Sequence, residues 1–432
     1  MYVYVLDENG APLMPTKRCA KVRHMLKDGR AQVVKRTPFT IQLCYEPATH
    51  VMQDVTSGVD AGYSHVGLSA TTPDKEFFAS DVELRNDIVR KLSIRKELRR
   101  SRRSRKTRYR KPRFDNRKIE DGRISPSVRQ KIDTHKTVIR NMTKIMPISA
   151  IKVEVSPFDI QKIMNPDISG KEYQQGPQLG FWNVREYVLW RDKHECQGCH
   201  GASGDHILNV HHIESRKTGG NAPNNLVTLC ETCHKDFHAG KIELKLKRGK
   251  SFKAATFMGI MRNQLVKELR EEFEPQGIKV EETFGYITKN TRIEHHLPKD
   301  HYIDARCISG NPDAKPCGYV LYQKKVRCHN RQLHKVNFRK GGVRRNNQSS
   351  FDIKGFPLYE KVQYCGDEYF IFGKRTSGRF DIRTLDGVKV NNGSVSYKKL
   401  TPLEYRHNIL IERRCANSSS DLVPEEELAR KS

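Results

Sequence analysis

Residues 196–238 read CQGCHGASGDHILNVHHIESRKTGGNAPNNLVTLCETCHKDFH, a stretch that begins and nearly ends with a Cys-x-x-Cys pair. At a separation of about thirty residues, a folded hairpin brings two such pairs around one tetrahedral Zn²⁺. Four thiolates leave no position open for water, so the metal would be structural. The sequence therefore predicts a structural zinc site formed by Cys196, Cys199, Cys230 and Cys233.

Between these pairs and just after them stand a His-His, an Asn and a further His. Their order and spacing resemble those of the HNH nucleases, in which a ββα hairpin and helix bind one divalent ion. The resemblance implies that His212 is the general base that activates water, since a neutral imidazole titrates near working pH. It also implies that His211 and His234 bind one Mg²⁺ and that Asn225 fixes the loop. The alternative is a plain zinc ribbon with exposed histidines.

The overall charge points to a polyanionic partner. The 432 residues include 79 Lys and Arg against 50 Asp and Glu, a net charge of +29. Nucleic acid is the expected partner, because the sequence contains no long apolar segment or amphipathic anchor that would favour a membrane. The first residues lack the features of a secretion signal, which favours a cytoplasmic, nucleoid-associated protein of a prokaryote. The remaining cysteines are then reduced thiols.

Residues 90–118 form the most basic segment. They contain sixteen Lys or Arg and two acidic residues, and good helix formers continue as far as Pro112. Charge on every face of this helix would melt it unless a nucleic acid neutralised it. The alternative is a disordered basic linker. The arginines predicted to bind nucleic acid are Arg95, Arg99, Arg100, Arg102, Arg103, Arg105, Arg108, Arg110 and Arg113.

The rest of the chain alternates between predicted strands and helices. Residues 1–50 predict a small α/β module, in which Thr16 caps a helix that Gly29 ends. Residues 277–288 predict a strand, and residues 320–350 are basic and irregular. Short alternating strands from about residue 355 predict a small antiparallel barrel or sheet, followed by a disordered tail after Arg414.

Three carboxylates lie at the ends of separate predicted elements. Asp60, Glu154 and Asp304 could together hold two Mg²⁺ ions about 3.5–4 Å apart, the arrangement used in phosphodiester cleavage. Their contexts, GVDAG, IKVEVS and HYIDA, resemble the three motifs of the RuvC nucleases, which have an RNase H-like fold. In that resemblance His301 is the general base or positions the water, and the basic helix is a bridge helix.

The order of these motifs resembles the IscB family of transposon-associated nucleases. Pro12-Leu13-Met14-Pro15 matches its PLMP module, and the likeness extends to about residue 410. It implies an α/β fold: a split RNase H-like mixed sheet, an inserted ββα-metal HNH domain, a bridge helix and a small C-terminal β domain. The predicted domains are PLMP (1–50), RuvC part I (51–89), bridge helix (90–118), RuvC part II and linker (119–180), HNH (181–250), RuvC part III (251–315), C-terminal domain (316–415) and tail (416–432).

The IscB resemblance implies an RNA-guided DNA endonuclease. An omega RNA would guide a monomeric protein to double-stranded DNA, where HNH cuts the guide-paired strand and RuvC the displaced strand. The C-terminal domain would contact the guide RNA and a short flanking DNA motif. Two alternatives are a protein-guided HNH nuclease of the homing type, which should purify free of RNA, and a nucleic-acid-binding protein without activity.

Overall fold

The computed structural model describes residues 1–47, 52–103, 124–155, 184–215, 223–244, 246–249, 253–327, 350–405 and 408–416. Its strands are β1 (Val3–Leu6), β2 (Pro12–Thr16), β3 (Ala31–Lys35), β4 (Thr40–Leu43), β5 (Val55–Ala61), β6 (His65–Thr71), β7 (Glu76–Glu83), β8 (Ile148–Val155), β9 (Leu208–His212), β10 (Leu226–Cys230), β11 (Lys279–Phe284), β12 (Tyr319–Lys325), β13 (Asp352–Ile353), β14 (Phe356–Pro357), β15 (Lys361–Tyr364), β16 (Asp367–Lys374), β17 (Arg379–Arg383), β18 (Val395–Ser396), β19 (Thr401–Glu404) and β20 (Ile409–Cys415). Its helices are α1 (Cys19–Lys27), α2 (Ile88–Arg103), α3 (Pro126–Thr143), α4 (Val184–Arg191), α5 (Glu231–His238), α6 (Lys253–Phe273), α7 (Gly285–Glu294) and α8 (His301–Ser309).

The chain divides into two compact units. The described residues form helices and several sheets, so the predicted mixed α/β class is confirmed. The first unit takes in the described parts of 1–118, 125–157 and 261–432, and the second those of 119–124 and 158–260. The second unit is therefore inserted in the sequence of the first. Among the described residues, no helix combines the length and apolarity needed to cross a bilayer.

The N-terminal module is a four-stranded sheet in the order β2-β1-β4-β3, with α1 packed against it. Its core contains Val3, Val22, Met25 and Ile41. The predicted cap is wrong: Thr16 is the last residue of β2, and α1 begins two residues after Lys17. The Thr16 hydroxyl accepts a hydrogen bond from the Arg18 amide instead, because a threonine side chain readily satisfies a nearby backbone N–H in a turn.

A seven-stranded mixed sheet is the centre of the first unit. Its order is β11-β8-β5-β6-β7-β12-β20. Strands β5 to β7 form an antiparallel meander, while β8 runs parallel to β5, and β11 parallel to β8. Parallel neighbours need crossover connections, and here the chain supplies them through α3 and through the whole second unit with α6.

Side-chain alternation along β5 assigns helices to the two faces of this sheet. Ser57 donates a hydrogen bond to Met142 Sδ of α3 at 3.7 Å, whereas Gly58 faces the carbonyl of Ala305 in α8. Asp60 lies two residues after Gly58, so it shares the α8 face. Helix α3 also pairs with α6, where Arg140 binds Glu272 and Arg129 binds Glu268.

The C-terminal unit predicted for 316–415 needs correction. Strands β12 and β20, from its two ends, belong to the seven-stranded sheet: β12 runs parallel to β7 and antiparallel to β20. Between them lies a five-stranded sheet in the order β18-β17-β16-β15-β19 around Val362, Ile371 and Phe380. The apolar run YVLY at β12 is buried because it adds a strand to the larger sheet. Residues 320–325, which the sequence predicted to be irregular, therefore form part of a strand.

One further prediction differs from the structure, and several others lie outside the described residues. The strand expected over 277–288 ends at Phe284, and α7 begins at Gly285, where the chain must pass close to Glu154. Helix α2 is described only as far as Arg103. The predicted continuation through Arg105, Arg108, Arg110 and Arg113, the 156–180 linker and the tail after residue 416 lie outside the described residues.

Candidate active sites

Four cysteine sulfurs cluster in the second unit. The sulfurs of Cys196, Cys199, Cys230 and Cys233 all lie within 4.8 Å of one another. Cys199 Sγ and Cys230 Sγ are 3.8 Å apart, the edge expected for a tetrahedron with metal–sulfur bonds of about 2.3 Å. The Cys233 amide donates to Cys230 Sγ at 3.4 Å, and the Gly198 amide donates to Cys196 Sγ at 3.4 Å. This donor set fits a tetrahedral zinc ion.

The electrostatics of the cluster favour at least one thiolate. Hydrogen bonds from Ser203 lower the pKa of Cys199 to about 6, and the Ser203 hydroxyl also lies 3.2 Å from Cys230 Sγ. Burial raises the pKa of Cys233 in the absence of a cation. A bound divalent ion would reverse that increase, since metal ligation deprotonates a thiol outright.

Three histidines form a second cluster beside the cysteines. His211 is on β9, and His234 and His238 lie four residues apart on α5, so the two share one helix face. One ring nitrogen of each lies within 4.8 Å of the others. Burial, with the neighbouring histidines, lowers the pKa of His211 to about 4 and lowers that of His234. Neutral imidazoles are the form that binds a metal, so this cluster could hold a divalent ion.

Asn225 holds the loop that carries the His-His pair. It is fully buried at the end of the short 3-10 helix Pro223–Asn225. Its Oδ1 accepts from the Glu214 amide at 2.8 Å, and its Nδ2 donates to the Glu214 carbonyl at 3.0 Å. His212 pairs with Leu226 across the hairpin and lies outside the three-histidine cluster. Adjacent strand residues face opposite sides, so the side chains of His211 and His212 point to opposite sides of the hairpin.

Helix α4 and the residue after it hold the β9–β10 hairpin through hydrogen bonds. Arg191 donates to the carbonyls of Pro223 at 2.7 Å and Leu226 at 2.9 Å, at the two ends of the segment that contains Asn225. Asp192 accepts from the Thr228 amide at 2.9 Å. These contacts fix the entry to β10, and with it the register that places His211 over α5.

The predicted carboxylates lie on one side of the seven-stranded sheet. Asp60 is on β5, Glu154 is on the adjacent β8, and His301 and Asp304 occupy the first turn of α8. His301 Nδ1 is 2.6 Å from Asp60 Oδ2. The three carboxylates are less tightly grouped than the two clusters of the second unit.

Close backbone contacts place α8 on this sheet. A Cβ at Gly67 would lie 1.9 Å from the His301 carbonyl, and a Cβ at Gly58 would lie 1.8 Å from the Ala305 carbonyl. Only glycine permits such an approach at these two positions. The two glycines therefore set the distance between His301 and Asp60.

The carboxylate site raises the pKa of its own acids. Burial is the main cause of the increase in the pKa of Glu154 to about 7; Asp60 and Asp304 add to it, and Thr288 opposes it. Burial and Asp60 likewise raise the pKa of Asp304. The hydrogen bond to Asp60 raises the pKa of His301. The site is thus electron-rich, partly desolvated and suited to cations.

Part of the second unit matches a known protein family. Residues 196–240 match the family model described as HNH endonuclease. These residues are an HNH endonuclease domain. Residues 3–176, about two fifths of the chain, match the model described as RRXRR protein, and residues 99–103 read RRSRR.

Solved structures similar to the chain include Cas9 of Streptococcus thermophilus in complex with the AGAA PAM, at 12% identity and a TM-score of 0.29. The match covers 60% of this chain and 32% of that chain. The type II-C Cas9 of Actinomyces naeslundii matches at 15% identity and a TM-score of 0.16, over 44% and 29% of the two chains. This chain thus spans about a third of the length of those proteins. A search of curated proteins found no match.

Sequence reasoning missed three residues near the two sites. His238 completes the HNH histidine cluster, and its spacing from His234 could have indicated it. Arg292 Nε lies 3.0 Å from Asp304 Oδ1, and the His65 ring stacks on His301 with centroids 5.1 Å apart and planes at 2°. His65 Nδ1 in turn lies 3.0 Å from Asp81 Oδ1. Neither Arg292 nor His65 belongs to a spacing pattern, so only the fold brings them to the site.

The basic helix α2 is described over its first part. Arg95, Arg99 and Arg100 lie on it, and Arg102 and Arg103 end it. At its start Arg85 Nε binds Asp87 Oδ1 at 2.9 Å, and Lys91 pairs with the same Asp87. Burial opposes it, but these hydrogen bonds lower the pKa of Asp87, so the helix begins on a fixed anionic anchor.

Proposed function

We propose that the chain is an RNA-guided double-strand DNA endonuclease of the IscB type. The observation that supports this most is the presence of two separate groups of nuclease-type side chains, one in each unit. The histidine cluster belongs to the inserted HNH domain. Asp60 and Glu154 belong to the seven-stranded sheet, and His301 and Asp304 to the helix α8 that packs on it. Two sites in one chain suit a reaction that cuts two strands.

The HNH domain would cut the guide-paired strand. His212 is the general base that takes a proton from the attacking water. Asn225 holds the end of the strand that carries His212, because its side chain accepts a hydrogen bond from the Glu214 amide. His211, His234 and His238 would hold a divalent ion, which when bound stabilises charge on the scissile phosphate. Mg²⁺ prefers oxygen ligands, so three imidazoles favour a transition-metal ion over the Mg²⁺ expected from the sequence.

The carboxylate site would cut the displaced strand. We interpret its sheet as RNase H-like, with Asp60, Glu154 and Asp304 as the ligands of two Mg²⁺ ions that stabilise the attacking and leaving oxygens when bound. His301, paired with Asp60, accepts the proton of the attacking water or positions that water. Arg292 pairs with Asp304 and holds that carboxylate at the site.

Guidance by an RNA is supported by the charge of the chain. The net charge of +29, with α2 as its densest part, suits the backbone of an omega RNA and its DNA heteroduplex. One protein chain with one RNA would then form the active particle in the prokaryotic cytoplasm. The cysteine cluster would carry one structural Zn²⁺ that stabilises the HNH domain.

Strand-specific cleavage tests the proposal. Protein purified with its copurifying RNA should cut a DNA duplex that contains the RNA-matching sequence on both strands. His212→Ala should leave a nick in the displaced strand, and Asp60→Ala a nick in the paired strand. Loss of both cuts in either variant would overturn the assignment of independent sites. Equal activity of an RNA-free preparation would instead favour the protein-guided HNH nuclease.

A further inference from the structure

Two histidine–aspartate pairs lie side by side at the carboxylate site. His301 Nδ1 is 2.6 Å from Asp60 Oδ2, and His65 Nδ1 is 3.0 Å from Asp81 Oδ1. The two imidazole rings are parallel, with planes at 2° and centroids 5.1 Å apart. The proposed reaction uses the first pair, and the second pair meets the first through the His301 ring.

Strand register puts both aspartates on the face of the sheet that meets α8. Asp60 of β5 is directly opposite Gly67 of β6, and Gly67 is directly opposite Asp81 of β7. Directly opposite residues point to the same face, and His65, two residues before Gly67, shares it. A Cβ on Gly67 would lie 1.9 Å from the His301 carbonyl. The backbone of His301 therefore lies over the glycine that separates the two aspartates.

The His301 ring needs a second contact to keep its orientation. Its side chain is 42% exposed, and the χ2 torsion of a histidine has a broad minimum, so the hydrogen bond to Asp60 does not fix the ring plane. The parallel His65 ring lies against one face of this imidazole in the offset stacking that aromatic rings prefer. Because Nδ1 is bound to Asp60, Nε2 is the nitrogen left for water, and its direction depends on the ring plane.

The His65 ring is itself fixed by Asp81. A carboxylate beside Nδ1 keeps a proton on that nitrogen and orients the ring. The side chain of His65 is 32% exposed and that of Asp81 18%, and an ion pair that solvent reaches contributes little to stability. The pair therefore does little for the fold, and its consequence lies in the ring on which His65 stacks.

We propose that His65 is a positioning residue for the cut at the carboxylate site: held by Asp81, it stacks on His301 and fixes the plane in which His301 Nε2 meets the attacking water. The proposal rests on the function proposed above and adds a residue to the four that the sequence indicated. His65 acts through His301, so it affects the rate of the chemical step and not the binding of DNA.

Single-turnover cleavage separates these two effects. The RNA-loaded protein is mixed with a matching duplex at increasing protein concentrations, and the rate of the displaced-strand cut is extrapolated to saturation. His65→Ala should lower the saturated rate by about tenfold, because a small misplacement of a catalytic group is costly. The protein concentration that gives half of this rate, and the rate of the paired-strand cut, should not change. An unchanged saturated rate would overturn the proposal.

Two further substitutions separate the stack from the hydrogen bond. His65→Phe keeps a flat ring against His301 but cannot bind Asp81, and it should cut within about threefold of the parental rate. His65→Asn keeps an amide near Asp81 without the ring, and it should be as slow as His65→Ala. Rescue by asparagine and not by phenylalanine would overturn the stacking role.

The matched control is another histidine–aspartate pair of the first unit. His295 Nδ1 is 2.8 Å from Asp313 Oδ1, and His295→Ala should keep the parental rate for both strands. A loss as large as that of His65→Ala would mean that breaking any such pair slows the cut, which would overturn the specific role of His65.

A double-mutant cycle tests the part of Asp81. Asp81→Ala should slow the parent by about threefold but change the rate of His65→Phe by less than about twofold, because Asp81 acts through the His65 ring. Equal slowing in both backgrounds would show that Asp81 does not act through His65.

The proposed function and the role of His65 fail in different ways. If Asp60→Ala leaves cutting of the displaced strand intact, the carboxylate site is not the nuclease and the proposed function of that site is wrong. If Asp60→Ala abolishes that cut but His65→Ala does not slow it, only the positioning role is wrong. Circular dichroism of the His65 variants excludes a loss of fold as the cause of a slower cut.

Discussion

At the scale of single residues, the environment gives chemically identical histidines different roles. Burial lowers the pKa of His211 to about 4 and keeps it neutral, as a metal ligand must be. The hydrogen bond to Asp60 raises the pKa of His301, so this imidazole binds a proton more readily. His65, stacked on His301, limits how that ring can turn. Position in the fold, rather than residue type, assigns each role.

A buried histidine in α3 should make the first unit sensitive to acid. His135 is fully buried, and burial lowers its pKa to about 4. The unfolded chain therefore takes up a proton below about pH 6.5 that the folded chain does not. The contribution of His135 to stability should therefore fall by on the order of 3 kcal/mol between pH 6.5 and 4, while the raised pKa of Glu154 acts in the opposite direction between about pH 4.5 and 7.

Urea unfolding, followed by circular dichroism across this pH range, measures the effect. His135→Leu removes the titrating group, so its loss of stability from pH 6.5 to pH 4 should be smaller than that of the parent by on the order of 3 kcal/mol, whatever its effect on absolute stability. His24→Leu, at an exposed position of α1, is the matched control and should keep the slope. An unchanged slope in His135→Leu would show that other groups cause the acid sensitivity.

At the scale of elements, the distance between α8 and the sheet decides whether the carboxylate site forms. In Gly67→Ala the new Cβ would lie 1.9 Å from the His301 carbonyl, so α8 must shift. The His301–Asp60 contact of 2.6 Å would then open. We expect cutting of the displaced strand to fall by about a hundredfold, at a stability cost of about 1–3 kcal/mol. Cutting by the HNH domain is the internal control, and its loss would point to global unfolding.

The zinc site can be separated from the helix cap that it shares. Cys230 precedes α5, and its sulfur accepts the Cys233 amide. Cys230→Ser keeps an N-cap acceptor but removes the thiolate, whereas Cys230→Ala removes both. Metal analysis should find one zinc in the parent and in the control Cys365→Ser, which changes an exposed cysteine. It should find none in either Cys230 variant, and both should lose the paired-strand cut. Retained zinc in Cys230→Ser would exclude the four-cysteine site.

The elements show which parts of the structure the sequence could predict. Strands such as β5 and β8 follow from apolar runs, and the HNH hairpin follows from spacing, because both signals are local in the chain. The roles of Arg292 and His65 depend on contacts between segments far apart in sequence, which no local pattern encodes. The same reason explains the misplaced boundary at residue 316: β12 is apolar because it pairs with β7, some 240 residues earlier.

At the scale of the whole molecule, the order of the chain produces two sites with different ligands. The HNH domain is inserted between β8 and β11, which are adjacent in the sheet. Strand β11 is therefore synthesised after the HNH domain, and only then can the sheet of the first unit be completed. The inserted domain presents three imidazoles, and the sheet presents three carboxylates. These donor sets favour different ions, since imidazole suits transition metals and carboxylate suits Mg²⁺.

A change of metal ion should therefore turn a double-strand cut into a nick. With Mg²⁺ alone, the RNA-loaded protein should cut the displaced strand at least tenfold faster than the paired strand. Ni²⁺ or Co²⁺ at micromolar concentration, without Mg²⁺, should support mainly the paired-strand cut. His238→Ala removes one of three nitrogen ligands and should raise the concentration of Ni²⁺ needed for that cut, while the Mg²⁺-dependent cut of the displaced strand stays the same. Identical metal requirements for the two strands would mean that the three histidines are not the metal site of the HNH domain.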